Sequence, residues 1–103
     1  MNESDPVLTT SIYHPKAGSE KNFIQFWTER IGNLAYEMGA DTVGIYHNED
    51  TDEYLASVHW PSEKFAKNFL KSGEFREATH ELNTFCLIPS IKEHFEILRE
   101  RAA

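Results

Sequence analysis

A predicted β-hairpin whose strands are apolar on both faces is the feature that most constrains the fold. Segments 41–47 and 53–60 are rich in β-branched and aromatic residues, and the polar run 48–52 separates them, as expected for two antiparallel strands joined by a turn. Because side chains alternate between the faces of a strand, Val43 and Ile45 share one face of the earlier strand, and Val58 and Trp60 share one face of the later strand. The opposite faces carry apolar residues as well. If helices cover only one face of such a sheet, a partner subunit is needed to cover the other.

The periodicity of the rest of the chain places this hairpin in a β-α-β-β-α order. Val7–Tyr13 predicts a first strand, a wide apolar stripe between Ser19 and Gly39 predicts a long amphipathic helix, and a helical region after Pro61 is interrupted at Ser72. Segment 90–99 fits both a capped helix and an alternating strand. Since a split β-α-β arrangement needs a closing strand, we favour the strand. The predicted fold is α+β and ferredoxin-like, with a four-stranded antiparallel sheet and helices on one face.

Length and charge limit the class of protein. The 103 residues predict a single domain, 1–103, with one modest core, and the net charge of −7 makes nucleic acid and anionic membranes unexpected partners. Cys86 is the only cysteine, which excludes an intrachain disulfide and fits a reducing compartment. We find no apolar run of the roughly 18 residues that span a bilayer, and the polar start lacks the pattern of a signal peptide. A cytoplasmic location is therefore expected.

The usual catalytic and cofactor motifs do not occur in the sequence. His80–Thr84 begins like the zinc-protease helix motif, but Thr84 stands where the second histidine ligand belongs, so we predict no metal site. The glycines are scattered, which argues against a nucleotide-binding loop. Cys86 lies in an apolar run and is interpreted as a small buried hydrophobic residue rather than a catalytic thiol. What remains is a generous supply of aromatic residues, 13% of the chain, able to form a flat apolar slot for an aromatic ligand.

Two segments resemble the antibiotic biosynthesis monooxygenase (ABM) family. These segments are residues 60–65 (Trp-Pro-Ser-Glu-Lys-Phe) and residues 70–75 (Leu-Lys-Ser-Gly-Glu-Phe). The order of the elements and the helix that follows Gly18 resemble the same family. The resemblance covers about residues 6–99. It implies a ferredoxin-like subunit whose sheet pairs with that of a second copy in a dimeric α+β barrel, with a pocket between sheet and helices.

The same resemblance implies a function. The family includes oxygenases that oxidise phenolic or quinol compounds without metal or flavin, so we expect a cofactor-independent monooxygenase, with no cofactor, that acts on a small aromatic or quinol-type substrate. The alternatives are a non-catalytic dimeric module that binds a small hydrophobic molecule and an isomerase-like enzyme of the same fold. Another branch degrades haem with an Asn, a Trp and a His. Ser11, Phe69 and Thr79 stand at those positions here, which disfavours haem degradation.

Six residues are candidates for the site that the resemblance implies. The candidates for the catalytic base are His80 and His59. The residues proposed to bind substrate are Ser11, Trp60, Phe69 and Thr79. Adjacent residues of a strand point to opposite faces, so the side chains of His59 and Trp60 cannot line one pocket unless the strand is bulged.

Overall fold

The computed structural model describes residues 5–87 and 91–97. Four strands form one antiparallel sheet in the order β2-β3-β1-β4, so the predicted closing strand and the α+β fold are confirmed. In chain order the elements are β1 (Val7–Tyr13), α1 (Glu20–Phe26), a π-helical segment (Trp27–Gly32), α2 (Asn33–Glu37), β2 (Thr42–Asn48), β3 (Glu53–Trp60), α3 (Glu63–Lys71), α4 (Gly73–Leu82), a 3₁₀ turn (Asn83–Phe85) and β4 (Ile91–Glu96). Ser90 and residues 98 and 99, which the strand prediction also included, lie outside the described residues.

The pairing register divides the sheet into two faces. Thr9 lies opposite Val58, and Tyr13 lies opposite Tyr54. Residues paired across antiparallel strands share a face, and Tyr13 packs against Phe23 of α1 with ring centroids 5.1 Å apart. This face is therefore the one covered by the helices. The face turned away from them, called the open face below, carries the alternate residues of each strand.

Trp60 lies at the centre of the core between the helices and the sheet. Its side chain is completely buried, its Nε1–H donates a hydrogen bond to Thr9 Oγ1 at 3.1 Å, and its ring centroid is 5.0 Å from that of Phe69 on α3. The indole thus joins β3 to β1 and to the second helical region. Its polar N–H is satisfied inside the core, which removes the penalty for burying it.

The first helical region continues from Glu20 to Glu37 but widens into a π-helical segment at Trp27–Gly32, which the sequence analysis did not predict. The buried hydrophobic side chains of this region recur every four positions: Phe23, Trp27, Ile31, Ala35. That spacing exceeds the 3.6 residues of an α-helical turn. A wider turn, closed by i→i+5 hydrogen bonds, keeps all four residues on the face that packs against the sheet.

Ser72 separates α3 from α4, as the interruption at Ser72–Gly73 predicts. Its backbone is extended, its Oγ–H donates to the carbonyl oxygen of Phe69 at 2.8 Å, and its Oγ accepts from the Phe75 N–H at 3.1 Å. One hydroxyl therefore closes the end of α3 and caps the start of α4. The turn brings the rings of Phe69 and Phe75 to a centroid distance of 4.4 Å.

Two apolar rows cross the open face on either side of a row of small and polar residues. The first row consists of neighbours in the pairing register, Tyr46, Leu55 and Ile12. The second row consists of His59, Leu8 and Phe95. Between the two rows, Ser57 lies beside Thr10. Leu55, Tyr46 and Phe95 are exposed. No helix within the described part of the chain is long and apolar enough to cross a membrane.

Candidate functional site

A cavity of about 540 Å³ lies between the helix-covered face of the sheet and the second helical region. This size falls within the range of pockets that hold small organic molecules. Residues from β1, β3, the π-helical segment, α3, α4 and the 3₁₀ turn contribute to its wall, which includes Ser11, Trp27, Phe69, Phe75, Arg76, Thr79, His80 and Asn83. The cavity therefore depends on almost every layer of the fold.

One wall of the cavity is aromatic and rigid. Trp27, Phe69 and Phe75 are buried, and all three line the cavity. Trp27 is held there by the π-helical segment, and the two phenylalanines are held by the turn at Ser72 described above. Flat, closely packed rings of this kind favour a planar apolar ligand.

A polar stripe along α4 and the 3₁₀ turn also lines the cavity. Arg76, Thr79, His80 and Asn83 line the cavity, and their spacing of three, four and seven residues places them on one side of the helix. Among the described residues, Thr79 Oγ1 and Asn83 Oδ1 are buried atoms without a hydrogen-bond partner. Buried polar groups are normally paired, so both atoms are available to a bound molecule.

The structure brings four of the six predicted site residues together. Ser11, Phe69, Thr79 and His80 all line the cavity. His80 is an exposed residue at its edge, where an imidazole can exchange a proton with both a ligand and water. The arrangement can therefore bind a flat molecule by its faces and exchange a proton at one edge.

The other two predicted site residues are not among those that line the cavity. Trp60 is completely buried behind it and supports Phe69 rather than the cavity space. His59 pairs with Leu8 and Thr42 on the open face, because successive residues of β3 alternate in direction and the strand is continuous through this pair. His59 and His80 are therefore separated by the sheet and cannot act on one ligand in this cavity.

The sequence analysis missed Trp27, Arg76 and Asn83 as site residues. Trp27 lies within the apolar stripe predicted between Ser19 and Gly39, and nothing in that pattern distinguishes it from a core residue. Arg76 and Asn83 carry a detectable signal, since with Thr79 and His80 they form a polar stripe at helical spacing beside the apolar stripe of α4. Within the described residues, no group of three His, Cys, Asp or Glu side chains is arranged to hold a metal ion.

Cys86 is buried and is not among the residues that line the cavity, and its Sγ is 3.8 Å from the carbonyl oxygen of Leu82. Burial raises the pKa of the thiol, and the His14 main chain and the charge of Lys16 lower it by less. At neutral pH the group is therefore a neutral thiol, which is a poor nucleophile.

We expect this thiol to react with a disulfide reagent about a hundredfold more slowly in the native protein than in denaturant, because reaction requires local opening. Absorbance of the released thiolate at a pH near 8 measures both rates. Equal rates would contradict the buried, neutral thiol.

Comparisons of the sequence alone find no matching family model and no matching curated protein. Comparison of the fold does find similar proteins. SnoaB, a cofactor-independent oxygenase from Streptomyces nogalater solved as a point variant, has a TM-score of 0.78 at 15% identity over 93% of this chain and 96% of SnoaB. A candidate antibiotic biosynthesis monooxygenase from Caulobacter crescentus has a TM-score of 0.78 at 8% identity over 94% of this chain and 93% of its own. A conserved protein from Methanosarcina mazei has a TM-score of 0.76 at 14% identity over 91% of this chain and 94% of its own.

Identities this low establish the fold and leave the activity open, since one fold hosts many functions. The residues at 60–75 that carry the resemblance occupy the end of β3, helix α3 and the turn at Ser72, which together build one side of the cavity. The chain therefore has the ferredoxin-like α+β fold of proteins named as antibiotic biosynthesis monooxygenases, and the resemblance is confirmed at the level of the fold.

Proposed function

We propose that the protein is a cofactor-independent oxygenase that acts on a small aromatic or quinol-type substrate. The observation that carries the proposal is the cavity itself, whose lining combines aromatic side chains with a polar stripe that includes His80. The fold shared with SnoaB, which is named a cofactor-independent oxygenase, supports the reaction class.

The proposed reaction needs few protein groups. His80 accepts the proton of a phenolic hydroxyl, and the phenolate passes one electron to O₂. The resulting radical pair joins at a ring C–H carbon to give a hydroperoxide. Breaking its O–O bond leaves a carbonyl on that carbon and releases the second oxygen atom as water. The two hydrogens of this water come from the former C–H bond and from the phenolic hydroxyl. The phenol loses four electrons and O₂ gains four. The aromatic wall limits access of water to the intermediates.

We also propose that the protein functions as a homodimer joined through the open face. Leu55, Tyr46 and Phe95 are exposed there, and Leu8 and Ile12 extend the two apolar rows. Exposed apolar rows of this kind are typical of an interface. A two-fold axis would place the same rows against themselves, which is the common geometry of homodimers.

Replacing His80 by glutamine is expected to lower kcat for oxygen consumption about a hundredfold and to change KM little, because a base contributes mainly in the transition state. The measurement is O₂ uptake with a panel of naphthols, hydroquinones and anthrones. Samples under argon show how much substrate loss depends on O₂. His47→Gln is the matched control, since this exposed histidine lies on the hairpin and bonds to Asp52.

Two outcomes would contradict the proposal in different ways. If the wild-type protein consumes O₂ no faster than buffer across the panel, the oxygenase function is wrong. Calorimetric binding without turnover would then favour a non-catalytic binding module, and rearrangement of a substrate under argon would favour an isomerase-like enzyme. If His80→Gln retains full activity, the oxygenase function stands and the role of His80 is wrong.

A further inference from the structure

The polar stripe of α4 carries different chemical groups at its two ends, and the proposed function does not depend on this difference. Arg76 and Asn83 are seven residues apart, so they are separated by about 10 Å along the helix axis at 1.5 Å per residue. Arg76 lies near the start of α4, whereas Thr79 and Asn83, whose side-chain oxygens have no hydrogen-bond partner among the described residues, lie toward its end. A ligand that lies along this stripe therefore meets a positive charge at one end and neutral hydrogen-bonding groups at the other.

Arg76 is the permanent cation among the described residues that line the cavity. No described carboxylate is paired with it, whereas Arg30 is paired with Glu81 at 3.1 Å. Glu93 also contributes to the cavity wall, but it pairs with Thr10 in the register and so belongs to the open face. Arg76 is thus an exposed cation at the rim of the cavity, where it can meet an anionic group of a bound ligand.

Thr79 and Asn83 offer a complementary pair of groups. The Thr79 side chain is 8% exposed, and its Oγ1 has no partner among the described residues, although a helical threonine commonly donates to a carbonyl of the preceding turn. Asn83 Oδ1 lies one turn further on. A ligand hydroxyl can accept from Thr79 Oγ1–H and donate to Asn83 Oδ1, which satisfies both buried atoms with one group.

We propose that the cavity selects a hydroxylated aromatic acid, with the carboxylate held by Arg76 and the hydroxyl placed between Thr79 and Asn83. The inference rests on the proposed function in taking this cavity as the substrate site. It adds that the substrate is an anion and that it binds in one orientation, with the acidic end toward the start of α4. Arg76, Thr79 and Asn83 are specificity-determining residues in this assignment.

Calorimetric titration with three probes tests the proposal: a naphthoate, the corresponding naphthol and a hydroxynaphthoate that carries both groups. We expect the hydroxynaphthoate to bind most tightly. Arg76→Gln is expected to weaken both acids about tenfold and to leave the naphthol within about twofold, because a hydrogen bond to a charged group contributes more than a neutral one. Lys64→Gln removes an exposed cation from α3 outside the cavity and is expected to change none of the three affinities.

Thr79→Val tests the hydroxyl end independently. It is expected to weaken the naphthol and the hydroxynaphthoate about three- to tenfold and to leave the naphthoate unchanged. Because Thr79 Oγ1 has no hydrogen-bond partner in the part of the chain that the structure describes, the variant should unfold at the same denaturant concentration as the wild type or a higher one. An unfolding midpoint that is not lowered shows that weaker binding by the variant does not result from a loss of structure.

The binding measurements test the acid-binding site, and the O₂-uptake measurements test the oxygenase function, so either proposal can be contradicted without the other. A hydroxynaphthoate that binds the wild type no more tightly than the naphthol does, or equal affinities of the wild type and Arg76→Gln for the acids, would overturn the acid-binding site even if the protein consumes O₂ with phenols. Acid-selective binding that Arg76→Gln abolishes would support the site even if no probe supports O₂ uptake, and in that case only the oxygenase function is wrong.

Discussion

Replacing Trp60 by alanine is expected to lower the free energy of unfolding by about 3 to 5 kcal/mol. The indole is completely buried, it packs on Phe69, and its N–H satisfies Thr9 Oγ1. Truncation therefore leaves a cavity between β3 and α3 and removes a buried hydrogen bond. Denaturant titration followed by circular dichroism measures the loss, at one protein concentration because association shifts apparent stability.

Two further variants test the reason for this effect. Trp60→Phe keeps much of the packing but loses the N–H donor, so a smaller loss of about 1 to 3 kcal/mol is expected. Phe65→Ala removes an aromatic side chain of α3 that is 43% exposed, and we expect a loss of about 1 kcal/mol. A Trp60→Ala loss no larger than that of Phe65→Ala would show that the indole is not a central core residue.

Replacing Leu55 by aspartate is expected to weaken dimerisation more than a hundredfold. Leu55 lies between Ile12 and Tyr46 in one apolar row of the open face. A two-fold interface contains every substitution twice, and each buried carboxylate without a partner costs several kcal/mol. Sedimentation measurements should give twice the 11.9 kDa chain mass for the wild type at micromolar concentration and a single chain for the variant.

Ile24→Asp is the matched control for this experiment. Ile24 is 38% exposed and Leu55 is 36% exposed, but Ile24 lies on α1, on the helical side of the sheet. The control is expected to sediment as the wild type, and circular dichroism establishes that both variants are folded. A wild-type protein that sediments as one chain at tens of micromolar would contradict the dimer through the open face.

The candidate site was predictable where the sequence carries local landmarks. The landmarks at Gly18 and Phe75 indicate the positions that correspond to Ser11, Phe69 and Thr79, and the structure brings those three to one cavity with His80. Trp60 belongs to the same landmark region, but its side chain supports the cavity from behind. A short sequence pattern indicates which residues are near one another and does not show which side of a packed layer each one faces.

The order of the elements can be predicted from the sequence, because apolar periodicity, the turn residues and the break at Ser72 are local properties of the chain. The same local pattern shows that strands β2 and β3 are apolar on both faces. The place of Trp27 at the cavity could not be predicted in this way, since it depends on the π-helical widening of the first helical region and on the packing of α3 and α4 across the sheet. Nor could the buried oxygens of Thr79 and Asn83, which have no partner among the described residues, because the pairing of a polar group depends on which other groups packing brings within reach.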